Sequence, residues 1–166
     1  LEFQRGAWVM LSAGMASPWC FRKRARRRTV KRYRRTVAAY RQWITERGGA
    51  VAGLAGTRGE TAGELLRFAG LTADRIERGI EVLAADADAL AAFRVANRSV
   101  ARALLQRLGL RDPRWRAFQL AFILLNLPGL VDPLDPHRHT ADLLFFPTGG
   151  GKTEAYLGLA AFAMVL

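Results

Sequence analysis

From residue 28 to about residue 47 the apolar positions are Val30, Tyr33, Val37, Tyr40, Trp43 and Ile44. Their spacing of three or four residues traces one face of a helix, with Trp43 and Ile44 adjacent at its end. Lys31, Arg32, Arg34, Arg35 and Arg41 fall mostly off that face, so the pattern predicts a basic amphipathic helix. Gly48 to Gly63 holds six glycines and no aromatic residue, and reads as a linker or flexible loop. A short helix over Glu64 to Phe68 is expected after it. In LTADRIERGIEVL, Thr72 can cap a helix whose buried face is Ile76, Ile80 and Leu83, with Gly79 costing about 1 kcal/mol relative to alanine. A further helix starts at Asp86 or Asp88 and carries Leu90, Phe93, Asn97, Val100, Leu104 and Leu108 on one face. Gly109 fits its left-handed end, and Asn97, on the apolar side, is expected to bond a nearby backbone group.

Pro113 suits the start of the next helix, and Pro128 with Gly129 its end. Phe118 to Leu127 is apolar nearly all round, which predicts burial on most sides. Val131 to Thr140 is a loop by composition. Ala141 to Phe146, ADLLFF, is a short apolar run closed by a proline: a buried parallel strand or a helical turn. The glycine-rich turn and apolar helix next in the chain decide for the strand.

A chain of 166 residues that is 51% hydrophobic can bury a core as one domain or two small ones. The net charge of +12 is uneven: residues 1–50 carry +11 and residues 51–166 only +1. A local basic block implies a polyanion partner, most often nucleic acid and less often an anionic membrane surface. Three readings of the basic helix stay open: a packed aromatic stripe with a solvated back, phosphate contacts by that back, or a helix lying on a membrane. The lone Cys20 has no disulfide partner, and His137 and His139 lack further ligands at metal spacing. No apolar run is long enough to span a membrane. Ala7 to Cys20 resembles a signal peptide, but the arginine block behind it opposes export, which leaves a cytoplasmic expectation. The chain begins with Leu1; Met10 or Met15 could be a start.

FFPTGGGKTEAYLGL, Phe145 to Leu159, carries the candidate chemistry. A strand, a glycine-rich turn, Lys-Thr and an apolar helix form the layout of a phosphate-binding loop. Glycines let several backbone N–H groups converge on a triphosphate, and the helix beginning near Lys152 aims its N-terminus at the anion. Lys152 would reach the β- and γ-phosphates, and Thr153 would offer a hydroxyl to Mg²⁺. The first glycine of the general pattern is replaced here by Phe146.

Pro147, Thr148, Gly149, Gly151, Lys152 and Thr153 resemble motif I of superfamily 2 helicases, in which that first position is usually not glycine. Trp115 to Gln119, WRAFQ, is similar to an element upstream of motif I whose glutamine reads adenine. The resemblance implies that Gln119 selects ATP, that Phe118 or Arg116 shapes the base pocket, and that Gly150 belongs to the phosphate loop. Leu71 to Leu166 is similar to the large helicase component of DISARM, a bacterial anti-phage defence system. That family is a DNA-dependent ATPase working with a subunit that carries a DUF1998-type domain.

The expected fold is therefore mostly α: a helical N-terminal region, then the first strand, phosphate loop and first helix of a RecA-like α/β ATPase domain, cut short. Residues 1–47 form the basic segment, 48–70 the linker and short helix, 71–112 a helical region, and 113–166 the start of the ATPase domain. Only 14 residues follow Lys152 and none is an Asp-Glu pair, so the chain alone is expected not to hydrolyse ATP. Two rival readings remain: another phosphate-loop enzyme, such as a small-molecule kinase or an AAA+ machine, and a non-catalytic remnant binding nucleic acid through its basic helix.

Overall fold

The computed structural model describes residues 23–109, 111–144 and 150–166. Among them every regular element is an α-helix: α1 Lys23–Val51, α2 Gly56–Ala85, α3 Ala87–Leu108, α4 Ala117–Val131 and α5 Lys152–Val165. Helix α1 buries the stripe its periodicity marks out. Val37 and Trp43 are buried, and Tyr33, Tyr40 and Ile44 pack against the core. Tyr40 stacks on Trp43 with ring centroids 5.9 Å apart.

The glycine-rich stretch departs from the linker expectation. Helix α1 runs to Val51, residues 52–55 make a turn, and α2 continues unbroken from Gly56 through Gly63 and Gly70. Each interior glycine costs about 1 kcal/mol of helix propensity, but packing of one face against α1 and α4 outweighs that local penalty. Thr72 is therefore not a cap. It lies inside α2, its hydroxyl donating to the Phe68 carbonyl at 2.9 Å.

The next boundaries reflect local chemistry. Asp86 ends α2 and caps α3, its Oδ1 accepting from the N–H groups of Asp88 and Ala89 at 2.8 and 3.0 Å. This satisfies two donors that the first helical turn leaves open. Gly109 closes α3 with φ 64°, a left-handed conformation that a side chain would strain.

Helix α4 starts at Ala117, after an extended approach in which Pro113 is buried, and Pro128 lies inside its last turn rather than beyond it. The core is Ile76, Ile80 and Leu83 of α2, Leu90 and Phe93 of α3, Leu120, Ile123, Leu124 and Leu127 of α4, and Phe162 of α5. Helix α4 packs against α2 on one side and α5 on another, α1 covers α2, and α3 packs against α5. Where α2 crosses α4 the backbones touch. A Cβ at Gly79 would lie 1.8 Å from the Leu124 carbonyl oxygen. Pro128 has no N–H, so that carbonyl lacks its usual helical donor, and the bare Gly79 backbone faces it.

The strand expected at Ala141 to Phe146 is overturned, and with it the RecA-like α/β start. Ala141 to Leu144 has no regular structure, Leu143 is 89% exposed, and no strand occurs among the described residues. Phe145 and Phe146 lie outside them. A parallel strand needs neighbours to receive its backbone hydrogen bonds, and the helices surrounding this segment provide none. Side chains hold it instead. Arg75 of α2 donates to both carboxylate oxygens of Asp142 at 2.6 Å. Arg78 pairs with the buried Asp135, whose other oxygen accepts from His137 N–H. No helix among the described residues is long and apolar enough to cross a membrane.

The crossing of α2 and α4 sets the sign of two substitutions. Gly79→Ala should cost about 2 kcal/mol or more, because the helices must part where they touch. Gly63→Ala, where a Cβ meets nothing within 4 Å, should stabilise by about 0.4–1 kcal/mol. Urea unfolding of the two variants checks both signs. Loss of surrounding water pushes the Tyr33 phenol up to about 12, with Arg32 opposing, and raises that of Tyr40. Folded values above the ordinary 10.0 mean that this contribution is complete below pH 10 and lost as pH rises towards 12. Unfolding midpoints at pH 9 and 11 should therefore differ, and by less in Tyr33→Phe.

Candidate nucleotide-binding site

The start of α4 and the start of α5 lie side by side. Gln119, in the first turn of α4 and 5% exposed, accepts from the Arg116 N–H through Oε1 at 2.7 Å. Its Nε2 donates to the Gly151 carbonyl at 2.7 Å. Arg116 donates from Nη1 to the Gly150 carbonyl at 2.6 Å. Two motifs more than thirty residues apart in sequence are thus joined by two side chains. Gly151 is required at its place on two counts. Its φ is 86°, and a Cβ there would lie 2.6 Å from Gln119 Nε2. Helix α5 begins at the next residue, Lys152, so its unpaired N–H groups and positive dipole end face the glycine turn.

Lys152 is partly buried and Thr153 is exposed. Pro147, Thr148 and Gly149 lie outside the described residues. Glu154 also belongs to the first turn of α5, and its buried Oε2 has no hydrogen-bond partner among the described residues.

A cavity of about 230 Å³ opens beside this junction. Gln119, Gly151, Glu154, Arg114 and Arg116 supply its polar wall, and Pro113, Trp115, Val100 and Leu104 an apolar one. Trp115 is fixed from two sides. Its Nε1 donates to Asn97 Oδ1, and Gly158 of α5 lies against its ring, where a Cβ would come within 2.8 Å of Cη2. Asn97 in turn donates to the Phe93 carbonyl at 2.5 Å, the backbone bond its position predicts. The cavity thus sets an apolar wall against a group of convergent polar side chains.

Sequence reasoning missed the α3 wall, since nothing local to Val100 or Leu104 shows that α3 packs on α5. The hydrogen-bonding capacity of Asn97 on an apolar face was the available signal. Phe118 does not join this cavity. It lines a separate apolar one of about 200 Å³ between α1, α2 and α4, together with Tyr33 and Tyr40. Of these two residues, Arg116 lines the cavity beside Gln119 and Phe118 does not.

Among the residues proposed to meet nucleic acid, Lys31, Arg32, Arg34 and Arg35 are exposed on α1. Arg41 is engaged: it donates to Glu77 at 2.8 Å and Asp74 at 2.6 Å, and these bonds hold its guanidinium pKa above the usual value.

No protein-family model matches the chain. In an alignment of 109 positions that covers 56% of the chain, it is 44% identical to "DISARM protein DrmA" of Bacillus paralicheniformis. The chain is thus related to a DISARM protein, of which it spans about a tenth of the length.

Removing the Gln119 amide would orphan the Arg116 N–H and the Gly151 carbonyl together. Gln119→Ala should destabilise by about 1–3 kcal/mol in urea unfolding. A wild-type midpoint would show that the two bonds do not hold the junction.

Proposed function

We propose that the chain belongs to an ATP-dependent DNA helicase or translocase of a bacterial phage-defence system. The observation that carries this reading is the junction itself: Arg116 and Gln119 bonded to Gly150 and Gly151, beside a cavity and at the start of α5. The relationship to a DISARM protein supports the defence role.

In this reading the adenine ring lies in the cavity against Trp115, Pro113 and the α3 wall, with its phosphates towards the glycine turn. Thr148, Gly149, Gly150 and Gly151 would present backbone N–H groups to the phosphates, Pro147, which has no N–H, would lead into the loop, and the N-terminus of α5 adds its dipole. Lys152 supplies a cation to the β- and γ-phosphates. Thr153, exposed at the mouth of the turn, would hold Mg²⁺, which shields phosphate charge and orients it for transfer. The close approach of Gln119 to Gly151, with no space for a Cβ, fits a turn shaped for a backbone-bound anion. Gln119 already spends one donor and one acceptor on the protein. Its second N–H and second lone pair are what it has left for a base edge.

DNA is the polyanion assigned to the exposed basic face of α1. The apolar stripe of that helix is buried, so it has no free apolar face to insert into a bilayer. A DUF1998-type subunit is the partner, and the cytoplasm the compartment.

Titration with a fluorescent ATP analogue in the presence of Mg²⁺ tests the site. Lys152→Ala should weaken binding at least tenfold, since one charge-assisted phosphate contact contributes about 1.5–3 kcal/mol. Equal affinity in the variant would overturn the phosphate-loop reading.

A further inference from the structure

The described arginines divide by partner. Arg41, Arg67, Arg75, Arg78 and Arg114 each face a carboxylate, and Arg116 and Arg138 bond backbone carbonyls. On α3 and just beyond it, Arg98, Arg102 and Arg111 form no ion pair among the described residues. All three are exposed, and with Ser99 they line an open concavity of about 540 Å³. Half-exposed Leu105 contributes to its floor. Arg98 and Arg102 stand one helical turn apart on the same face, and Arg111 approaches from the segment after the left-handed stop at Gly109.

Three guanidinium groups gathered in one hollow repel one another, and no acid offsets them there. Such an arrangement is favourable when an anion occupies it. Guanidinium forks match phosphate oxygens bidentately, and the Ser99 hydroxyl adds a neutral donor. The hollow is open to solvent, and its three guanidinium groups can meet successive phosphates of a strand. Leu105 offers a surface to the sugar.

We infer that this groove binds the phosphates of a nucleic-acid strand, separately from the basic face of α1. Ala101 and Pro113 belong to its wall and also to the wall of the cavity beside Gln119. A strand in the groove and a nucleotide in the cavity are therefore separated by the thickness of α3. The inference shares with the proposed function only the premise that the polyanion is nucleic acid.

Fluorescence anisotropy with a labelled single-stranded oligonucleotide, over a series of salt concentrations, tests it on the chain. R98Q/R102Q/R111Q should weaken binding at least tenfold at low salt. The slope of log affinity against log salt should fall by about 2, the value for three lost phosphate contacts on a single strand. R98K/R102K/R111K should recover part of the affinity, and binding of a fluorescent ATP analogue should be unchanged. The three residues are exposed, so the fold should persist; Arg111→Gln, outside any helix, gives the same reading in smaller measure if the triple variant melts early. Wild-type affinity and slope in the glutamine variant, with loss on K31Q/R32Q/R34Q/R35Q, would overturn the groove and leave the α1 reading standing. Displacement of the oligonucleotide by millimolar inorganic phosphate at constant ionic strength would assign the groove to small anions instead. Absence of binding by the wild-type chain would remove both surfaces.

Discussion

The fold depends on how closely α2 can approach α4. Helix α4 is apolar almost all round, so each of its faces must be covered, and the face towards α2 has backbone on both sides of the contact. Pro128 leaves the Leu124 carbonyl without its helical partner, and Gly79 is the residue narrow enough to receive it. The two features lie 49 residues apart and neither is intelligible without the other. With that crossing set, the residues that begin α4 come to rest beside α5, and Trp115 is caught between α3 and α5.

Charge is organised by the same packing. Acidic residues turned towards the interior neutralise the arginines of α2, as in the Arg75–Asp142 and Arg78–Asp135 pairs. Few acids remain for the outside of α1 and α3. A chain whose second part is nearly neutral overall therefore still carries unbalanced positive surface. Net charge counted along the sequence locates the α1 face but not the α3 groove, because the acids that balance the count sit on other surfaces.

Local features were the legible ones in the sequence. Asp86 and Gly109 act on atoms two to four residues away, and the α1 stripe is a property of one helix, so each could be read from its own neighbourhood. The glycines of 48–63 misled because their propensity is local, whereas the burial that makes α2 helical comes from α1 and α4. ADLLFF misled for the complementary reason: an apolar run becomes a strand only beside other strands, and here Asp142 is claimed by Arg75. At the candidate site, glycine and lysine spacing marked the turn, and Gln119 was singled out. That its amide would reach Gly151, and that α3 would wall the cavity, depends on contacts 32 residues apart or on neighbouring helices.

The tether between α2 and the segment before the glycine turn has a kinetic side. Arg75 and Asp142 are 67 residues apart, so their pairing closes a long loop whose entropy must be overcome before the contact rewards it. The α1–α2 and α2–α3 hairpins close over far shorter distances. The order this imposes is the α1–α2 and α2–α3 hairpins first, and the approach to the turn with α5 beyond it afterwards. In the native state the same pair is what ties the segment leading towards the candidate phosphate site to α2.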